Sequence, residues 1–161
     1  GGSHERGRRA GTQNAAYIVG FAEALALAYA ENEQRVQQFK LLRDALIAGI
    51  LDRLPFAELS GHEQNRLPSH ASFVLEGIDA NTLLMHLDMK GIAASSGSAC
   101  KVGNPEPSDV LLALGYTTEQ AKCGLRLSVG TQTTEADIAY TIDAVVETVT
   151  KLKKLSREFI S

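Results

Sequence analysis

Hydrophobic residues recur at helical spacing in three long stretches of this chain. They fall three or four positions apart over residues 13–29 and again over residues 33–54, which predicts two amphipathic helices separated by a bend near Asn32. Pro55 should end the second helix, because proline cannot continue a helical hydrogen-bond ladder. The third stretch begins after Thr134, which with Asp137 forms a start similar to a capping box.

Shorter elements are predicted between the second and third long helices. Segments rich in β-forming residues predict strands at residues 56–59, 71–75, 92–93 and 125–129. Helical spacing or capping residues predict short helices at residues 81–89 and 108–114, with a further turn capped by Thr117 or Thr118. This order indicates an α+β fold, in which a small mixed sheet is covered by helices.

Composition and charge exclude several classes of protein. The 161 residues carry a net charge of −3, so we expect neither nucleic acid nor an anionic membrane as a partner. No apolar run approaches the roughly 20 residues of a membrane span, and no secretory signal is visible. Two cysteines do not make a disulfide framework, which favours a reducing, cytoplasmic compartment. The four histidines show no spacing typical of a zinc site.

The first twelve residues differ from the rest of the chain. They read GGSHERGRRAGT, which is rich in glycine and arginine and has no hydrophobic period, so we expect a loop or arm. The chain also starts without methionine, which suggests a cut inside a longer protein. We therefore expect residues 1–12 to form an N-terminal arm that continues from a missing domain, and residues 13–161 to form one domain.

The segment from Ser95 to Pro107 holds the strongest candidate for chemistry. It reads SSGSACKVGNPEP, with little to bury, which is typical of a surface loop. Small residues precede Cys100 and leave its thiol accessible, and a cation such as the adjacent Lys101 favours the reactive thiolate. No histidine is placed to act as a paired base. Cys123 lies beside a strand and is interpreted as structural and buried.

Five segments in order along the chain resemble NifS-type cysteine desulfurases, in the class V aminotransferase family. The segment GIAASSGSACKVGNPEPSDVLLALG resembles their active-site loop, and GGSHERGRRAGTQN resembles their glycine- and arginine-rich segment. The segments ASFVLEG and LLMHLDMK resemble the strand and helix before the loop, and GLRLSVGTQTTEADI resembles the strand and helix start after it. The resemblance implies the small domain of a fold-type I transferase that depends on pyridoxal phosphate (PLP).

The resemblance also implies roles for three residues. Cys100 would accept sulfur from PLP-bound L-cysteine as a persulfide, leaving L-alanine. Arg126 would bind the substrate α-carboxylate, which suits a planar guanidinium, although a structural ion pair is the alternative. Thr12 would reach the PLP phosphate of the neighbouring subunit in a homodimer, or would cap the first helix. Arg6, Arg8 and Arg9 either assist near that phosphate or are solvated.

The resemblance also implies partners for the chain. The small-residue loop resembles that of the group that delivers sulfur to iron–sulfur scaffold proteins. The family's PLP-binding lysine lies in a Ser-x-His-Lys context, and no lysine here has that setting. We therefore expect this chain alone, without a large PLP domain, to be inactive. Smaller departures are His70, where asparagine is common, and Lys101, where a small residue is frequent.

Two other functions remain open from the sequence. One is an interaction module without chemistry, indicated by the lack of a cofactor lysine and by the long last helix with its basic end at Lys151, Lys153 and Lys154. The other is a related PLP lyase on the same fold, such as a selenocysteine lyase. A kynureninase-like enzyme is disfavoured, because it needs no thiol in this loop.

Overall fold

The computed structural model describes residues 2–97 and 107–158, without the side chains of residues 157 and 158. The chain divides into two compact units, Gly1–Arg35 and Val36–Ser161, and each is described by itself. The boundary expected after residue 12 stays a prediction. None of the helices in the described ranges combines the length and apolar content that a bilayer crossing requires.

The first unit begins with a hairpin that the sequence did not predict. Strands β1 (Ser3–His4) and β2 (Arg9–Ala10) pair antiparallel around a 3-10 turn, Glu5–Gly7. Within that turn Glu5 and Arg6 have left-handed φ values of 54° and 58°, a conformation that side chains other than glycine seldom adopt. Each strand has only two residues, so no alternation of polar and apolar positions marks the hairpin in the sequence.

Helix α1 (Ala15–Ala30) follows, and Asn14 caps it by accepting a hydrogen bond from the Tyr17 backbone N–H at 3.3 Å. Helix α2 (Asn32–Arg53) starts directly after Glu31, so the helical stretch is interrupted at Glu31, next to the position near Asn32 where the sequence predicted a break. No residue of α1 is buried, although its apolar spacing predicted an inward face. The large exposed apolar residues of α1 are Tyr17, Ile18, Val19, Phe21, Leu25, Leu27 and Tyr29.

The second unit is built around a three-stranded sheet. Its strands are β3 (Ala57–Leu59), β4 (His70–Leu75) and β5 (Gly124–Ser128), and β4 is central. The other elements are α3 (Ala80–Asp88), α4 (Asp109–Ala113), α5 (Thr118–Ala121) and α6 (Glu135–Glu158). The predicted α+β class is confirmed, and every strand pair in the described ranges is antiparallel rather than mixed.

Side chains alternate between the two faces of this sheet, as the pleat of a strand requires. On one face Phe73 and Leu75 of β4 are fully buried. They belong to a hydrophobic core that takes residues from β5 and from the helices α2, α3 and α6, and that includes Leu46, Ile50, Leu83, Leu87, Leu125, Leu127, Val145 and Val149. The long helices thus cover one face of the sheet. The other face carries polar side chains, and at Val74 it packs against the short helices α4 and α5.

The predicted strand at residues 92–93 is wrong, because the end of α3 uses that segment. Gly91 has φ +75°, and the backbone N–H of Ile92 donates to the Leu87 carbonyl at 3.0 Å. This arrangement is a glycine-terminated helix end, and Ile92 and Ala93 form no ladder with a strand. The segment after α3 pairs with β5 only through an isolated bridge between Ser95 and Arg126.

The predicted helix caps are confirmed. Thr117 and Gln120 form a capping box at the start of α5. Before α6, the Asp137 carboxylate accepts from both the backbone N–H and the hydroxyl of Thr134, and the Asp137 N–H donates back to that hydroxyl. These bonds hold the pKa of Asp137 below its ordinary value, chiefly through the backbone bond from Thr134.

Candidate functional site

A cleft of about 620 Å³ lies on the polar face of the sheet. Its walls come from the loop after β3, from β4 and β5, from Ser96 and Gly97, and from the start of α4. The side chains that β4 and β5 contribute include His70, Ser72 and Arg126. Ser72 accepts a 2.8 Å hydrogen bond from the hydroxyl of Ser60, which is buried, so the floor of the cleft is polar and internally paired.

Arg126 rises from the middle of β5 into this cleft. Its backbone pairs with Ser95, with an N–H to carbonyl distance of 2.6 Å in one direction and 3.1 Å in the other. Its Nη2 donates to the Ser95 hydroxyl at 3.0 Å. Among the described residues, no carboxylate lies within ion-pair distance of this guanidinium, and the Ser95 hydroxyl is the one side-chain acceptor recorded for it there. The role of Arg126 as a ligand for a carboxylate stays a prediction.

A second arginine, Arg66, is fixed in the wall of the same cleft. Its Nε donates to the His62 carbonyl and its Nη2 to the Ser60 carbonyl, each at 3.0 Å. Burial, and then repulsion by Arg43, lower the pKa of Arg66 from its ordinary value. Since an arginine remains charged in proteins even so, Arg66 adds a second positive charge to the cleft.

His70 is a third basic side chain in the lining of the cleft. The side chain is half-buried at the start of β4. Burial, followed by repulsion from Arg126 and Arg66, lowers the pKa of the imidazole. Asp109 is the sole carboxylate among the described lining residues. The cleft therefore favours an anionic ligand.

Cys100 and Lys101 lie outside the described residues, but the chain on either side of them is described. Gly97 and Ser108 both line the cleft. A Cβ placed on Gly97 would lie 3.8 Å from the Ser108 Cβ, so the two ends of the intervening segment, residues 98–107, meet at the cleft. The residue predicted as a nucleophile thus belongs to a segment whose two described flanks, Gly97 and Ser108, both line the cleft.

Gly124 allows the chain before this segment to approach β5. A Cβ at this position would lie 3.0 Å from both the Ser96 backbone oxygen and the Leu111 Cδ1. These distances are tighter than ordinary van der Waals contact, and the backbone oxygen cannot move without shifting the Ser95 bridge. A glycine is therefore required where the cleft, α4 and the cysteine segment meet.

Replacing Gly124 with alanine should lower the free energy of unfolding by about 1–3 kcal/mol, the usual cost of forcing a methyl group into a packed site. Urea unfolding would measure this loss. Gly130→Ala is the matched control, because no atom lies within 4 Å of a Cβ there and its φ is ordinary. Equal stability of the two variants would contradict the close approach.

Cys123 lies between α5 and β5 and has a packing role. It is a free, half-buried thiol whose Sγ donates to the Glu119 carbonyl at 3.3 Å. With Tyr116 it packs against a small cluster made of Val74, Leu111 and Ala121. Its burial is partial rather than complete, because the residue lies at the end of α5, where one side of the side chain faces solvent.

Thr12 belongs to the other unit, Gly1–Arg35. It is exposed and follows Gly11, which has φ +92°. Asn14 caps α1, so the capping alternative for Thr12 is not used. Nearby, Arg9 donates from Nη1 to the Gly11 carbonyl at 3.2 Å, whereas its buried Nη2 has no partner among the described residues.

This part of the first unit fits a phosphate group such as that of PLP. A buried nitrogen without a partner is costly unless a ligand accepts from it, and phosphate is a strong acceptor of arginine hydrogen bonds. Thr12 supplies a hydroxyl, and the start of α1 supplies free backbone N–H groups and a positive dipole end. Within the described residues, no cluster of three or more His, Cys, Asp and Glu could hold a metal ion.

The sequence did not reveal Arg66 as part of the site, and it marked His70 only as a departure from a resembling family. A signal for His70 was present in the period of two along the strands. Positions 70 and 72 of β4 and position 126 of β5 are polar, whereas positions 71, 73, 125 and 127 are apolar. Arg66 lies in a loop with no periodicity, so only the fold could place it beside Arg126.

The α+β domain thus has a cleft on the open face of its sheet, where Arg126 of β5 and Arg66 of the neighbouring loop supply positive charge. A family model described as aminotransferase class-V matches residues 3–140. The chain belongs to this class V aminotransferase family, whose members generally depend on PLP.

The chain is also similar to individual proteins along nearly its whole length. It is 43% identical over 156 residues to cysteine desulfurase IscS of Methanosarcina thermophila, and 42% identical over 156 residues to cysteine desulfurase NifS of Azotobacter vinelandii. Each match covers 97% of this chain, but only 38% and 39% of the relative. A solved NifS-like protein from Rickettsia africae matches with a TM-score of 0.80 and 30% identity, over 92% of this chain and 38% of that chain.

Proposed function

We propose that this chain is the C-terminal small domain of a cysteine desulfurase. The observation that carries the proposal is the position of Arg126. Among the described residues it has no carboxylate partner, it lies in a cationic cleft, and both described flanks of the segment that contains Cys100 are at that cleft. The relatives named cysteine desulfurase extend well beyond the part that this chain matches, and the proposal assigns the Schiff-base lysine to that further part.

In this proposal Arg126 recognises the substrate. Its unpaired donors bind the α-carboxylate of L-cysteine through two parallel hydrogen bonds, the geometry that a guanidinium suits. The bond to the Ser95 hydroxyl and the pairing of the Arg126 backbone with Ser95 hold the guanidinium in place. Substrate orientation and the start of the cysteine segment are therefore fixed by the same pair of residues.

Cys100 is the nucleophile in the proposal. Its thiolate attacks the substrate sulfur, a new S–S bond forms, and the carbon–sulfur bond of the substrate breaks. The electron pair of that bond stays with the carbon skeleton, which takes up protons and leaves as L-alanine. Bound PLP supplies the electron sink that this cleavage requires. The persulfide on Cys100 then passes its outer sulfur to an acceptor, such as an iron–sulfur scaffold protein.

Thr12 and Arg9 are proposed to hold the cofactor phosphate. The buried, unpartnered Nη2 of Arg9 supports this assignment. By resemblance the phosphate belongs to the neighbouring subunit, so the proposal includes a homodimer in which each arm completes its partner's site. A function that depends on a free thiol also favours a reducing compartment, and we propose the cytoplasm.

The test is sulfur loading in a chain that carries a cofactor site. This chain would be joined behind the PLP-binding region of a cysteine desulfurase, and cofactor absorbance would show that the joined protein has folded. After incubation with L-cysteine, mass spectrometry should find one additional sulfur on the Cys100 peptide, removable by reductant. A folded, PLP-loaded protein that leaves Cys100 unmodified would refute the proposal.

A further inference from the structure

His70 and Arg126 are neighbours on the open face of the sheet. In the β4–β5 register Ser72 is opposite Arg126 and His70 is opposite Ser128. His70 is therefore diagonal to Arg126 on the same face, a separation within the reach of long side chains. Both side chains line the cleft, so a ligand bound at Arg126 lies beside the imidazole.

The charged groups around His70 come from every wall of the cleft. Arg126 belongs to β5, Arg66 and His62 to the loop after β3, and Asp109 to the start of α4. Of these groups, the two arginines act on His70 strongly enough to lower its pKa, in addition to the effect of burial. In the empty cleft the imidazole is therefore neutral at neutral pH.

We propose that His70 takes up a proton when a carboxylate binds at Arg126, so that this cleft binds carboxylates more tightly as the pH falls. The inference rests on the part of the proposed function that places a carboxylate at Arg126. It adds a positioning residue, His70, because the protonated ring donates a second hydrogen bond that orients the carboxylate.

The physical reason is the change of local charge on binding. Two guanidinium groups disfavour a third positive charge, and an anion at Arg126 cancels much of that repulsion. The anion also accepts a hydrogen bond from the imidazolium, which stabilises the protonated ring further. Anion binding and protonation of His70 are reciprocally linked. If a bound anion favours the protonated imidazole, then the protonated cleft binds the anion more tightly than the neutral cleft does.

This linkage fixes the sign and the limit of the effect. One proton taken up per anion strengthens binding by at most about tenfold for each unit of pH. Affinity depends on pH only in the range between two pKa values of His70. The lower one is its pKa in the empty cleft, which is below the ordinary value, and the upper one is its pKa in the occupied cleft. Above that window the ring is neutral in both states, and affinity no longer depends on pH.

The experiment uses this chain and propionate, a carboxylate that lacks the amino and thiol groups of cysteine. Proton NMR would follow the imidazole signals from about pH 8 to about pH 5.5, the range in which histidine titrates. Adding propionate should raise the titration midpoint of His70, whereas neutral propionamide should not. His86 lies on α3, outside the cleft lining, and is the control signal that should not respond.

The variant His70→Asn keeps a hydrogen-bond donor but cannot take up a proton at these pH values. Its affinity for propionate should stay constant as the pH falls from about 8 to about 5.5, whereas that of the original chain should rise. Arg126→Gln should remove the response of His70 to propionate. Urea unfolding of both variants would show that the fold is kept.

Three results would overturn the inference: no propionate binding, binding that does not depend on pH, or full pH dependence in His70→Asn. The second and third results leave the sulfur chemistry of Cys100 untouched. Conversely, proton-linked propionate binding combined with absent sulfur loading would refute the proposed desulfurase function and leave the His70 inference standing. The two failures are therefore distinguishable.

Discussion

Replacing Cys100 with serine is expected to abolish sulfur loading of a PLP-loaded protein that contains this chain. A serine hydroxyl is not ionised at neutral pH and is a far weaker nucleophile toward sulfur than a thiolate. Removal of an attacking group costs an enzyme at least about a thousandfold in rate. The measurement is the rate of alanine formation from L-cysteine, together with the sulfur content of the peptide that contains residue 100.

Cys123→Ser is the matched control, because it removes the other thiol of the chain. That thiol packs beside Tyr116 and donates to the Glu119 carbonyl, so its loss should change stability slightly and activity little. Two results would refute the assignment, because they would make Cys123 the nucleophile. One is sulfur on the Cys123 peptide, and the other is activity that survives in Cys100→Ser and is lost in Cys123→Ser.

Replacing Arg126 with glutamine is expected to weaken carboxylate binding by roughly 10- to 100-fold. Hydrogen bonds to charged groups contribute about 1.5–3 kcal/mol, and each 1.4 kcal/mol is about a factor of ten in affinity. The loss should appear in the Kd for propionate in this chain. It should also appear in KM for L-cysteine in a PLP-loaded protein.

Arg53→Gln is the control for the loss of an arginine charge. Arg53 pairs with Asp143 on the surface between α2 and α6, away from the cleft lining. Exposed ion pairs of this kind contribute roughly 0–1 kcal/mol, so this variant should keep both its fold and its carboxylate affinity. Equal loss of binding in the two variants would show that overall charge, and not a built site, attracts the anion.

The helices and strands of the second unit could be read from the sequence wherever the hydrophobic period was strong. The apolar spacing of α6 continues from Ile138 to Leu155, about five turns, and Thr134 and Asp137 mark the start of the helix. The alternation of β4 is bounded by Pro68 and Gly77. In both elements the local preference and the tertiary packing agree, which is why the predictions hold.

Weak or short patterns gave the wrong predictions. Ile92 and Ala93 have strand-forming character, but the end of α3 engages the Ile92 backbone N–H before it can join the sheet. The hairpin near the N-terminus depends on backbone hydrogen bonds between strands of two residues. Both segments are too short for a periodic pattern of side chains to reveal their structure.

The sequence by itself determined the chemistry that is proposed for this chain. Its ordered motifs carry the reactive thiol at residue 100, the guanidinium at residue 126 and the hydroxyl at residue 12, because chemical groups are properties of the residues themselves. The alternation of polar and apolar positions along β5 and the first part of β4 also indicated which face of those two strands is buried.

Only the tertiary structure decided which of these groups are neighbours. The antiparallel pairing of β4 with β5 brings His70 beside Arg126, although 55 residues lie between them in the sequence. The loop after β3 adds Arg66 to the same cleft. Contacts of such long sequence separation are set by strand register and packing, which no local pattern encodes. The lowered pKa of His70 follows from those contacts.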